Sequence, residues 1–156
     1  MRRLILFILL IPRISLSQDI NTTERYSTNN IYTDAIKQYL TYIENKDKIK
    51  LDTLIIRQSE QFTDSISKRI KDTYIQIADT SEIDRLLKKG NSFVLYVLSP
   101  LSFDRGQFFI SIVPFVSTND RGDGVRLEVS GGCKIQYSFD TKSRQFKFRK
   151  VESWGI

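Results

Sequence analysis

Chemistry in this chain has to be done without imidazole. Its 156 residues include no histidine. That excludes Ser-His and Cys-His nucleophile pairs, His-ligated zinc and imidazole proton transfer within the chain. Cys133 is the single cysteine, so an intramolecular disulfide is excluded too. With no histidine to activate it, Cys133 is a poor nucleophile. Ser65-Ile66-Ser67-Lys68 has the Ser-x-x-Lys spacing of penicillin-recognising enzymes, but the companion Ser-Asp-Asn and Lys-Thr-Gly elements are missing. Ser130-Gly131-Gly132-Cys133 does not match the Gly-x-Ser-x-Gly elbow and reads as a hairpin turn or bulge. Neither a phosphate loop nor a dinucleotide fingerprint is present, and no cofactor is expected.

Carboxylates are what remains for acid–base work. Glycosidase-type chemistry needs two carboxyls about 5–10 Å apart, and Asp104, Asp120, Asp123 and Glu128 are the candidates. Sequence spacing leaves their separation open. The segment from Asn119 to Gly124 also hints at a calcium loop. It fails, because Arg121 stands at the third ligand position and Ser130 where a bidentate Glu is needed. No metal site is expected. Arg121-Gly122-Asp123 is the tripeptide read by integrins, yet its neighbours make the segment a tight strand-connecting turn.

The clearest binding candidate is basic. Lys142, Arg144, Lys147, Arg149 and Lys150 crowd the C-terminal region. Two alternating runs lie there, Cys133 to Phe139 and Phe146 to Arg149. Pairing Phe139 with Phe146 also pairs Tyr137 with Phe148, so aromatics meet on one face. The same register puts Lys134, Gln136, Lys147 and Arg149 on the other. Those four are the expected binding residues, for a protein or an anionic surface. The competing reading is a solvated sheet face whose lysines prevent edge aggregation.

Elements must position that face. Tyr32, Ala35, Ile36, Tyr39, Leu40 and Ile43 recur at helical spacing and predict a helix over 31–43. Thr28, Asn29 or Asn30 can cap it. A second, short helix is expected over 82–89, capped by Asp79, Thr80 or Ser81, with Ile83, Leu86 and Leu87 inward and Gly90 as its stop. Strand patterns cover 51–57, 71–77, 93–98, 108–115, 125–129, 133–139 and 146–148, while 59–69 is ambiguous. The runs 93–98 and 108–115 are apolar on both parities, which marks strands covered on both faces. Pro114 requires a bulge or an edge nearby. Cys133 sits on the apolar parity and is expected to be buried. The ending Val151 to Ile156 carries the only Trp and is expected to dock on the core, or else to offer an aromatic contact at a binding mouth.

The chain begins with an address. Met1-Arg2-Arg3 is basic, Leu4 to Ile11 is apolar, and Ser15 and Ser17 are the small residues before a cut ahead of Gln18. These are the parts of a secretory signal peptide over 1–17, followed by a polar leader over 18–28. The apolar run is too short to span a bilayer, so no transmembrane span is expected in the mature chain. Removing the signal takes away Arg2, Arg3 and Arg13, leaving 21 Lys and Arg against 18 acids. A charge of +6 then falls to +3, which argues for solubility and against nucleic acid.

The apolar start, the strand Phe108-Phe109-Ile110-Ser111-Ile112-Val113-Pro114-Phe115 and the ending Glu152-Ser153-Trp154-Gly155-Ile156 resemble small exported proteins of Gram-negative bacteria that have no characterised activity. The likeness implies export and a β-rich C-terminal half, and carries no catalytic residue. The order of one helix followed by a meander is also similar to cystatin-like and nuclear-transport-factor-like α+β rolls, which host many functions.

The expectation is therefore one α+β domain over 29–156. An antiparallel sheet of about six or seven strands packs on the N-terminal helix, with a second short helix. The domain is expected in the periplasm or outside the cell, as a non-catalytic binding or interaction module. Its rivals are a small carboxylate-based enzyme in a roll cavity and an inhibitor or immunity-type partner.

Overall fold

The computed structural model describes residues 30–60, 66–89, 92–119, 125–129 and 131–155. The signal peptide, the leader, Ser65, the Arg-Gly-Asp turn with Asp120 and Asp123, Gly90 and Ile156 lie outside the described residues. Two helices and nine strands follow in order: α1 (Ile31–Lys46), β1 (Thr53–Arg57), β2 (Arg69–Ile70), β3 (Thr73–Ala78), α2 (Thr80–Lys89), β4 (Ser92–Leu98), β5 (Ser102–Asp104), β6 (Gln107–Asn119), β7 (Val125–Val129), β8 (Gly131–Asp140) and β9 (Gln145–Gly155).

The caps are as the residue types demand. Asn30 accepts a hydrogen bond from the Tyr32 amide at 2.8 Å, and Asp79 accepts one from the Glu82 amide at 2.8 Å. Each satisfies an otherwise orphaned N–H in a first helical turn.

All strands share one sheet, ordered β2-β3-β1-β4-β6-β8-β9, with β5 and β7 on β6. The α+β class holds, but the purely antiparallel sheet does not. β1 runs parallel to both β3 and β4. Two connections produce this: β2, antiparallel to β3, turns the chain back so that β3 runs with β1, and β3, α2 and β4 in succession make a crossover that returns the chain in the same direction. The strand total rises to nine because β2 and β5 are three residues or shorter, below what alternation can signal.

β6 is the long spine. On one side it pairs with β4 and then β5, on the other with β7 and then β8. The β4–β5 junction has one residue more than β6 supplies opposite it, which is the mark of a bulge. Pro114 falls between the β7-paired stretch, which ends at Phe115, and the β8-paired stretch, which begins at Ile112. There β6 changes partners, while on its other side Pro114 stays in regular register opposite Tyr96. Arg105 and Gly106, at φ 48° and 80°, form the tight turn from β5 to β6, a conformation that favours glycine.

The two helices lie on opposite faces. α1 buries Ala35, Ile36, Tyr39, Leu40 and Ile43 against Leu54, Ile56, Tyr96, Ile110, Ile112, Cys133, Ile135 and Tyr137. α2 buries Ile83 and Leu87 against Ala78 and Leu95, with Ile55 and Phe93 beside them. Leu95 and Tyr96 are neighbours in β4, both buried, and face different helices. The both-sided apolar pattern of that strand is thereby explained. Cys133 is 5% exposed under α1, and burial pushes its thiol up to about 11.

Candidate functional site

The face opposite α1 divides in two. Over β3, β1 and β4 it is covered by α2. α2 also reaches β6, while over β8 and β9 this side carries no helix among the described residues. The aromatic register that builds this region is the expected one: Tyr137 pairs with Phe148 and Phe139 with Phe146. Their rings turn toward α1 with Phe108 in a series of tilted and edge-to-face contacts. Alternation then sends Lys134, Gln136, Ser138, Lys147, Lys150, Glu152 and Trp154 to the open side.

One register shift modifies the arrangement. Gln136 pairs with Lys150 and Tyr137 with Phe148, so Arg149 is the extra residue of a bulge. Its side chain still reaches the open side, where Nε donates to Ser138 Oγ at 2.8 Å. Lys134, Gln136, Lys147 and Arg149 are thus brought to one face. They are not equivalent there.

Lys147 is engaged by Asp140 at 2.5 Å. That ammonium, with two turn amides donated by Lys142 and Ser143, holds the Asp140 carboxyl far below the usual carboxylate range. Lys150 is bound by Glu152, whose carboxyl is lowered first by that hydrogen bond and further by Lys134 and Gln136. Gln136 Nε2 donates to Glu152 at 2.5 Å. Gln136 is 6% exposed, and its Oε1 has no hydrogen-bond partner. The Lys134 ammonium lies 4.3 Å from the centroid of the Phe109 ring, a cation–π contact. Two of the four basic groups on this face are therefore held by acids, and Lys134 and Arg149 are not.

Between these residues runs an open groove of about 720 Å³, lined by Phe109, Ser111, Lys134, Glu152, Ser153 and Trp154. Trp154 does not close the core. It is 46% exposed. The ending docks by strand pairing instead, with Trp154 opposite Gly132. A Cβ on Gly132 would stand 2.6 Å from the indole, so glycine lets the ring lie on the sheet. Phe109 and Glu152 were missed as site residues, whereas Trp154 takes the second of the two places expected for it, an exposed aromatic rather than a core plug. Parity alone places Phe109 and Trp154 on that side once β6, β8 and β9 are known to be neighbours, and it is this adjacency that local pattern lacks.

The carboxylate pair is dispersed. Asp104 pairs with Gln107 and Glu128 with Val116. Those positions lie at opposite ends of β6, about 30 Å apart at roughly 3.3 Å per residue, and on opposite faces. Asp104 and Glu128 do not form a glycosidase-type pair. Groups of three or more metal-ligating side chains are absent among the described residues, and among them no helix is long and apolar enough to cross a membrane.

No protein-family model matches the chain, and no curated protein or solved structure is similar to it.

Proposed function

We propose that this chain is an exported, non-catalytic binding domain. Its contact surface is the open side of β6, β8 and β9. The observation that carries this reading is the groove itself: an exposed indole and the Phe109 ring beside the Lys134 ammonium, with Arg149 further along the same face, on a sheet side that a helix covers elsewhere. Exposed aromatics and arginine are what contact surfaces concentrate. The partner it suits is a protein presenting an apolar side chain flanked by carboxylates. The groove's own acid, Glu152, is occupied by Lys150 and Gln136, so it repels such a partner less than a free carboxylate does. Export rests on the basic, apolar and small-residue sequence over 1–17.

The test is affinity capture from periplasmic extract and from culture medium with two baits, the natural protein and a Lys134→Glu/Arg149→Glu variant. The natural protein is expected to retain a discrete partner that the variant loses, with both baits melting alike. Identical captures would remove this face from the proposal. N-terminal sequencing of the exported protein is expected to start at Gln18, and Met1 retained would overturn the signal peptide.

A further inference from the structure

A second, smaller cavity lies on the other side of the sheet, at the N-terminal end of α1. Its volume is about 240 Å³, and Ile31, Asp34, Tyr137, Arg144, Phe146 and Phe148 line it with Gln145. Pockets for drug-sized ligands run to about 300–1,000 Å³, so this one suits a smaller molecule. Three elements build it. α1 contributes Ile31 and Asp34, β8 contributes Tyr137, and the β8–β9 turn with β9 contributes the rest.

The charges are arranged unusually. Asp34 accepts from the Tyr137 hydroxyl at 3.0 Å through Oδ2 and from Gln38 at 3.3 Å through Oδ1. Both donors are neutral, and neither removes the negative charge. Tyr137 is 2% exposed, so the carboxylate is pinned by a buried hydroxyl rather than swinging in solvent. Arg144 closes the turn at φ 52°, and it forms no ion pair with Asp34 although both line the same small cavity. A carboxylate and a guanidinium thus flank one cavity without meeting. Apolar walls from Ile31, Phe146 and Phe148 stand with them, and Phe148 is 40% exposed.

We infer that this cavity binds a small zwitterion of the amino-acid class with an apolar side chain. Its ammonium is received by Asp34, its carboxylate by Arg144, and its side chain by Ile31, Phe146 and Phe148. A charge-assisted hydrogen bond at each end is the strong kind. A ligand bearing only one of the two charges leaves the opposite group of the cavity unmatched, which is how such a site discriminates. This site is separate from the groove over β6, β8 and β9, and neither proposal depends on the other.

The experiment is titration calorimetry on the purified protein, backed by amide chemical shifts. Leucine and phenylalanine are compared with N-acetyl-leucine, which lacks the ammonium, and leucinamide, which lacks the carboxylate. The expected result is saturable binding of the free amino acids, with tenfold or greater weakening for either blocked form. Asp34→Asn should remove the preference over N-acetyl-leucine, and Arg144→Gln the preference over leucinamide. Asparagine retains an acceptor for the Tyr137 hydroxyl, and Arg144 lies in an exposed turn, so both variants are expected to melt like the natural protein. No binding of any free amino acid up to 10 mM overturns the inference. So does equal binding of free and blocked forms.

Discussion

The two halves of the sheet solve the same problem differently. Around β1 and β4 both faces are clad, by α1 and by α2, and consecutive residues such as Leu95 and Tyr96 are buried in opposite directions. Around β8 and β9 only the α1 side is clad. There Ile135 is fully buried while its neighbours Lys134 and Gln136 belong to the polar side. The first half spends its apolar side chains twice over on stability. The second half needs only one sealed face to hold its place, so its other face is free to carry charge and exposed aromatic rings. An open, mixed polar and aromatic face is thus obtained without a loop scaffold, by leaving one helix short of the full sheet.

β6 is shared by both sides of this contrast and gives the sharpest way to break it. Ile110 is fully buried under α1, and Phe109 lies on the open side. Ile110→Ala is expected to lower unfolding free energy by about 2–5 kcal/mol, read from urea midpoints, and Phe109→Ala by less than half as much. Equal losses would mean that the open face is a core after all. Next in size is Gly132→Ala. Its Cβ would meet the indole at 2.6 Å and the Ile112 carbonyl oxygen at 3.0 Å, and overpacking of this kind costs about 1–3 kcal/mol. Because Trp154 is the only Trp, displacement of the ring should also appear as a shift in emission maximum.

Alkaline pH separates the faces by another route. On the α1 side, burial raises the Cys133 thiol from 9 to about 11, and burial also raises Tyr39, Tyr96 and Tyr137 above their ordinary 10. Above about pH 9 the unfolded chain releases these protons while the folded chain keeps them. The unfolded state then binds fewer protons, and stability falls as pH rises. The urea midpoint should therefore be flat from pH 7 to 8.5 and decline steadily from 9 to 11, and Cys133→Ala should soften the decline. A flat profile to pH 11 would contradict the sealed α1 face. The smallest effect belongs to the open side: Lys147→Ala breaks the exposed pair with Asp140 and should move the melting temperature by less than about 2 °C.

Much of this molecule is legible in short windows. The spacing of Tyr32, Ile36, Tyr39 and Ile43 fixes α1, and alternation fixes the pairing of β8 with β9 down to Phe139 against Phe146. Both are local: one is a helix, the other a hairpin. What the windows withhold is neighbourhood. Nothing in Thr53–Arg57 says that its partners will be β3 and β4, both parallel, because that depends on how the chain returns through β2 and on where α2 delivers it. The same limit applies to the site. Lys134, Gln136, Lys147 and Arg149 come from one hairpin and could be grouped, whereas Phe109 enters from β6 and required the β6–β8 register. Asp34 and Arg144 are further still, joined only because α1 lies across β8. Lys147 also teaches that a residue can reach its expected face and yet be neutralised by an acid, Asp140, that parity placed there too.

The shift at Arg149 has a consequence for crowding. β9 ends the sheet and is eleven residues long, an edge of a length that invites a second chain to zip onto it. The extra residue splits its outer rim into two stretches, Gln145–Phe148 and Lys150–Gly155. An incoming regular strand that matches one is out of phase with the other. Lysines and arginine stand beside the break, where a like-charged copy would have to approach. The bulge thus works as a fuse against fibre growth: it denies the narrow rim to the protein's own kind while leaving the broad face of β8 and β9 open.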